Sequence, residues 1–204
     1  MRILPLHRND PSDYSCVAYW VLGENNTVAD RNTLIDTGSA APGNLAFFLD
    51  EMTMRPKGLG KQAVEQVILT HGHFDHTGGL SGLEARFHPE LYAWLPRGGV
   101  HPVQDGTTLV LGDQKACLLH TPGHSDDSIC VYVPETGVLF SGDTLYRITD
   151  HHGVYPRAYL DSMERLAGLT VRAIYPGHGS PVLEDPMGFI QGCLDQVRQS
   201  LILD

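Results

Sequence analysis

The chain has 204 residues, of which 42% are hydrophobic and 19% charged, the balance expected of a single globular domain over residues 1–204. Its net charge of -10, from 14 Lys and Arg against 24 Asp and Glu, repels phosphate backbones and makes nucleic acid a poor partner. The N-terminal MRILPLHRND is broken by Arg8 and Asp10, and no run of about eighteen apolar residues follows, so neither a signal peptide nor a membrane span is expected and the cytoplasm is the default location. Cys16, Cys117, Cys130 and Cys193 form no CxxC pair, which suits reduced, buried thiols.

Taken in order, RILPL (2–6) and SCVAYWVL (15–22) are strand-like, and NTLIDTG (32–38) is a strand entering a tight turn. Pro42 opens a helix over 42–54, with Leu45, Phe48, Leu49 and Met52 at helical spacing. EQVILT (65–70) is a short buried strand that feeds the chain into LTHGHFDHTGG. Further strands are predicted at EARFH (84–88), TTLVL (107–111), KACLLH (115–120), SICVYV (128–133) and GVLFSG (137–142). AYLDSMERLAGL (158–169) reads as a helix with Leu160, Met163, Leu166 and Leu169 on one face. VRAIYP (171–176) is a strand, and residues 185–203 close the chain as a helix. Mixed sheets with helices packed outside them fit this order better than an all-β sandwich.

The histidine stretch carries the chemistry. In an extended chain alternate side chains point the same way, so His71 and His73 can face one ion across Gly72. Asp75 is a plausible helix-start residue, and a turn there swings it and His76 toward a neighbouring point. The stretch thus supplies two pairs of ligands, and its pattern has odds of roughly 0.002 of arising at random in this composition. Three later segments add one ligand each: His124 in HTPGHSDDS, Asp143 in LFSGDTL and His178 in IYPGHGS. Each follows a glycine at a strand end, where rigid ligand loops are built. Imidazole and carboxylate donors together suit Zn²⁺, with Fe or Mn as alternatives. No G-x-S-x-G elbow supports a serine nucleophile, and GLGK (58–61) is not a P-loop.

The set LIDTG, HGHFDH, TPGH, SGD and PGHG, in that order over roughly residues 14–180, resembles the metallo-β-lactamase superfamily. The resemblance implies an α/β fold, an αββα sandwich of two mixed sheets flanked by helices. It implies two divalent metal ions, the first on His71, His73 and His124, the second on Asp75, His76 and His178, with Asp143 bridging them. Asp36 of LIDTG is similar to a structural aspartate that steadies the ligand loop without touching metal. A bridging hydroxide would be the nucleophile, with Asp75 and Asp143 as catalytic groups beside it.

Aspartate at 143, where lactamases of the family usually carry Cys or Ser, points away from lactam hydrolysis. TPGHSDDS and SGDTLY look most like the glyoxalase II-like branch, although only 26 residues follow His178, too few for that enzyme's helical domain. The expected activity is hydrolysis of an ester-like bond in a small molecule, foremost a thioester. Lactonase and phosphodiesterase activities of the same fold are alternatives, as is an iron-dependent persulfide dioxygenase. Substrate selection falls to the loop over 144–159, where Tyr146 could stabilise an oxyanion and Arg147, Tyr155 and Arg157 could meet substrate, unless the loop is ordinary surface with a tyrosine packed inward. His151 and His152 read as exposed or packing residues, and His120 as a supporting group near the site.

Overall fold

The computed structural model describes residues 1–54, 60–95, 99–145 and 153–204. The N-terminal half begins with β1 (Arg2–Leu6), β2 (Ala18–Leu22), β3 (Thr33–Ile35) and α1 (Pro42–Met54). It continues with β4 (Gln66–Ile68), α2 (Phe74–Thr77), α3 (Leu80–Phe87), β5 (Glu90–Ala93) and β6 (Val100–Pro102). The second half holds β7 (Thr108–Leu111), β8 (Gln114–His120), β9 (Ile129–Val133), β10 (Val138–Gly142) and β11 (Val154–Pro156). It closes with α4 (Arg157–Ala167), β12 (Ala173–Pro176), α5 (Pro186–Arg198) and β13 (Leu201–Leu203).

Two mixed sheets result. The first runs β1-β2-β3-β4-β5-β6, antiparallel through β3 and parallel from β3 onward. The second runs β12-β10-β9-β8-β7, with only the β10–β12 pair parallel. Because strand side chains alternate faces, each sheet is apolar on both sides and must be covered twice. Tyr19 and Val21 of β2 meet Ala116, Leu118, Val131 and Phe140 of the second sheet in the central core. Ala18, Trp20 and Leu22, one position out of phase, pack instead on Phe48 and Met52 of α1 and Leu83 of α3. Leu119, Cys130, Tyr132 and Leu139 turn away from the central core onto Met163 and Leu166 of α4 and Ile190, Leu194 and Val197 of α5. The layers are therefore helix, sheet, sheet, helix, as the motif resemblance implies.

Three expectations are corrected. The segment 84–88 is not a strand but the end of α3, which begins at Leu80. Leu80, Leu83 and Phe87 fall at helical spacing and pack against the first sheet, and His88 ends the helix in a left-handed conformation with φ 48°. The C-terminal helix stops at Arg198, and Leu201–Leu203 form β13, parallel to β11, with Ile202 turned into the core under α4 and α5. The turn after His73 starts one residue pair earlier than expected, since His73 is the residue preceding α2 and Asp75 lies in its first turn. Among the described residues no helix is long and apolar enough to cross a membrane.

Candidate metal centre

The seven-member constellation lies beyond the ends of four strands, Asp75 and His76 within the short helix α2 that follows β4, at one edge of the cleft between the two sheets. His71, His73, Asp75 and His76 follow β4 of the first sheet. His124, Asp143 and His178 follow β8, β10 and β12 of the second. The two sheets are stitched together at this edge by main-chain bonds, Ile129 N to Thr70 O at 2.8 Å and Val17 N to Gly177 O at 2.7 Å. These bonds fix the loops that carry the side chains before any ligand is considered.

The donor atoms converge in overlapping groups. One atom each from His71, His73 and His124 lies within 4.8 Å of the others, and the same holds for Asp75, His76 and His178 and for His71, His76 and Asp143. His124 Nε2 is 3.0 Å from His73 Nδ1, and His178 Nε2 is 3.0 Å from Asp75 Oδ2. Asp143 stands between the groups, with Oδ1 3.3 Å from His76 Nε2 and Oδ2 3.5 Å from both His124 Nε2 and His178 Nε2.

Support comes from beneath. Asp36, in the left-handed region at φ 59°, accepts from Thr70 N and Thr70 Oγ1, both at 2.8 Å. Its Oδ2 also lies 2.8 Å from His76 Nδ1. Since the carboxylate only accepts, His76 Nδ1 carries the proton toward Asp36 and its Nε2 faces Asp143. Thr70 Oγ1 spends its own proton on Asp36, so at 3.1 Å it accepts from His71 Nδ1, which turns His71 Nε2 inward. A strained backbone at a residue making three such bonds is consistent with a position held for function. Two glycines are required by closeness. A Cβ on Gly177 would lie 2.3 Å from Asp143 Oδ1 and 2.7 Å from His76 Cε1, and one on Gly142, at φ 48°, would meet Thr70 Oγ1 at 2.6 Å.

His71 Nε2, His76 Nε2 and Asp143 Oδ1 are buried without a well-formed hydrogen bond, the last two facing each other as an ion pair at 3.3 Å. Orphaned buried polar atoms of this kind are costly, and three pointing at one another fit a bound cation that ties them together. The donor set, all nitrogen and oxygen, suits a transition metal of borderline hardness. Electrostatics divide the groups. Burial pushes the His71 imidazole down to about 4, helped by the charge on His76, and burial also lowers His124. Burial opposes charge on His76, but Asp36 and bonds to Asp143 and Asp36 outweigh it and hold the ring protonated far above the ordinary imidazole range. His178 is raised by its bond to Asp143, against burial. Asp143 is held far below the carboxylate range: burial alone would raise it, but His178 and His76 prevail.

The remaining expected residues are placed differently. Tyr146, Arg147, His151 and His152 lie outside the described residues. Arg157 opens α4 on the surface and donates to Asp204 at 3.1 Å. Tyr155 packs on Tyr159, 5.4 Å between ring centres, beside the α4–α5 core. His120 reaches no ligand side chain: its ring stacks on Trp94 at 3.6 Å and its Nε2 lies 2.8 Å from Asp126 O. One residue was not anticipated. Tyr14 stacks on His178, 5.1 Å between centres and 22° between planes, and lines a cavity of about 260 Å³ with His124, Gly142, Asp143, Leu145 and His178. The signal was an aromatic residue stranded in the polar stretch NDPSDYS, where no strand or helix needs it.

A family model for the metallo-beta-lactamase superfamily matches residues 13–178, and the chain belongs to that superfamily. It is 29% identical over 189 residues to an atrochrysone carboxyl ACP thioesterase of Aspergillus fumigatus, covering 85% of this chain and 43% of that protein. It is 33% identical over 161 residues to the lactamase-like protein nscB of Neosartorya fischeri, covering 75% of this chain and 46% of the relative. The chain thus spans about half the length of these relatives. Among solved structures, a metallo-beta-lactamase family protein of Thermus thermophilus superposes with a TM-score of 0.71 at 23% identity, over 97% of this chain and 79% of the other, a likeness of fold.

Proposed function

We propose that residues 1–204 form one catalytic domain that hydrolyses small-molecule thioesters with two divalent metal ions, most simply Zn²⁺. In this reading His71, His73 and His124 hold one ion, Asp75, His76 and His178 hold the other, and Asp143 serves both. The observation that carries it is the convergence of His and Asp donor atoms in overlapping groups within 4.8 Å, with His71 Nε2, His76 Nε2 and Asp143 Oδ1 buried and lacking well-formed hydrogen bonds. When bound, such a pair of ions supplies a water acidified toward neutral pH and a Lewis acid for the carbonyl. The chain's own part is to orient and to handle protons. Asp143 is kept anionic and anchored between His76 and His178, and the buried Asp75, with Oδ2 3.0 Å from His178 Nε2, holds that ring in place.

The thioester is favoured over other bonds by the relatives named as ACP thioesterases, and by the likeness of TPGHSDDS and SGDTLY to the glyoxalase II-like branch. Elemental analysis of purified protein, run beside a panel of thioesters, lactones and phosphodiesters, tests both halves of the proposal. Two transition metals per chain and the highest kcat/KM on a thioester are expected. A single iron per chain with oxygen consumption on a persulfide would overturn the hydrolase, and a best substrate among the lactones or phosphodiesters would overturn the bond assignment.

A further inference from the structure

Two large aromatic side chains at the mouth of the metal centre are left in water for no reason that folding supplies. Tyr14 is 66% exposed and Phe74 is 68% exposed. Their rings face each other at 6.3 Å with 40° between planes. Phe74 sits between His73 and Asp75, and Tyr14 is the aromatic wall of the cavity that holds His124, Asp143 and His178. Single exposed hydrophobics are ordinary, but a pair at the rim of a polar cavity marks a binding surface.

The pair is also rigidly presented. On one side of Tyr14, Asp13 accepts from Ser39 Oγ at 2.7 Å and from Asn44 Nδ2 at 2.6 Å. On the other, Ser15 Oγ accepts from Ser39 N at 3.0 Å, and Cys16 N bonds Asp75 O at 3.2 Å. The tyrosine is therefore tied to the ligand loop itself, and little ordering entropy is left to lose when a ring lands on it.

We infer that Tyr14 and Phe74 form a specificity platform that accepts a planar, aromatic acyl group from the scissile thioester. The inference rests on the thioesterase reading for the identity of the bond, but the platform itself is a matter of binding. The acyl carbon is the reacting atom, so whatever is attached to it lies against the nearest walls of the cavity. Apart from Gly142 and the ligand side chains, those walls are Tyr14 and Leu145 among the described residues. An alkyl chain there gains only its buried area, whereas an aromatic ring gains offset or edge contacts with Tyr14 in addition, and one that extends beyond the cavity past Tyr14 reaches Phe74.

The test compares naphthoyl and acetyl thioesters of N-acetylcysteamine on the metal-loaded full chain. Tyr14→Ala is expected to lower the naphthoyl-to-acetyl ratio of kcat/KM about tenfold, chiefly through KM, with a smaller loss for Phe74→Ala. Tyr14→Phe, which keeps the ring, is expected to retain the ratio. Equal losses on both substrates, or a ratio lost in Tyr14→Phe, would overturn the platform and leave Tyr14 as a support for His178. A second readout is independent of turnover: the Kd of an inert naphthyl thioether. If it weakens about tenfold in Tyr14→Ala while no thioester is cleaved, the platform stands and the proposed reaction falls. If the Kd is unmoved, the platform falls whatever the reaction.

Discussion

The two groups of candidate ligands differ in what holds them and in the protons they carry. His71 leans on the Thr70 hydroxyl, and both His71 and His124 are pushed by burial toward the neutral form. His76 leans directly on the Asp36 carboxylate and is held protonated, and His178 is raised by Asp143. On the proposed two-metal reading, His71 and His124 could receive a metal at neutral pH without shedding a proton, while His76 and His178 would have to release theirs. The difference teaches that two similar-looking half-sites in one loop are electrostatically unequal before anything binds.

The largest test of that inequality removes what the groups share. Asp143→Ala is expected to cut turnover by more than about a hundredfold and to lose at least the Asp75–His76–His178 metal, with the fold kept. Near-normal hydrolysis and two metals per chain would show that the groups do not depend on Asp143. Next, Asp36→Asn removes the charge that holds His76. Metal affinity at the second group should fall about 10–100-fold, in chelator competition, with the His71 group affected less. Equal losses at both would mean that Asp36 acts through the loop as a whole.

The pH dependence follows from the same directions. His76 and His178 have raised values in the metal-free chain, so a metal bound by them as proposed would displace their protons and bind more tightly as pH rises. Equilibrium dialysis from about pH 8 down to about pH 6 should strip the second group first, affinity falling about tenfold per unit for each proton displaced. The His71 group should show the shallower slope, and parallel slopes would erase the distinction. The smallest effect is expected of Thr70→Val, which removes the acceptor for His71 Nδ1 at nearly constant shape. Because the same hydroxyl donates to Asp36, both groups should weaken, and a loss of about threefold to tenfold that is larger at the His71 group, read by the same competition, would sharpen the division.

Much of this arrangement could be read from the residues because it is local. Strands such as AYWVL and ICVYV carry apolar side chains on both faces, and LIDTG, HGHFDH, TPGH, SGD and PGHG each place a ligand or its support at a strand end. What escaped was set by distance. EARFH alternates apolar and polar over five residues, and only the wider window back to Leu80 exposes its helical period. The pairing of Val154 with Leu201 joins segments separated by all of α4 and α5, so no local pattern could announce β11 or β13. The orienting bonds of Asp36 to Thr70 and His76 were foreshadowed only by the motif, and Tyr14 only by its isolation in NDPSDYS, because its value lies in the histidine it covers from across the chain.

The Trp94–His120 stack has a practical consequence. Trp94 follows β5 of the first sheet and His120 ends β8 of the second, so the indole touches a ring anchored on the opposite sheet. The chain has two tryptophans, and the other, Trp20, is fully buried with its Nε1 donating to Ala63 O at 2.8 Å. One fluorophore thus straddles the seam that carries the candidate centre, while the second sits in a shielded layer behind it. Emission from the pair amounts to a built-in gauge with its own reference, able to register a spreading of the seam without any attached label.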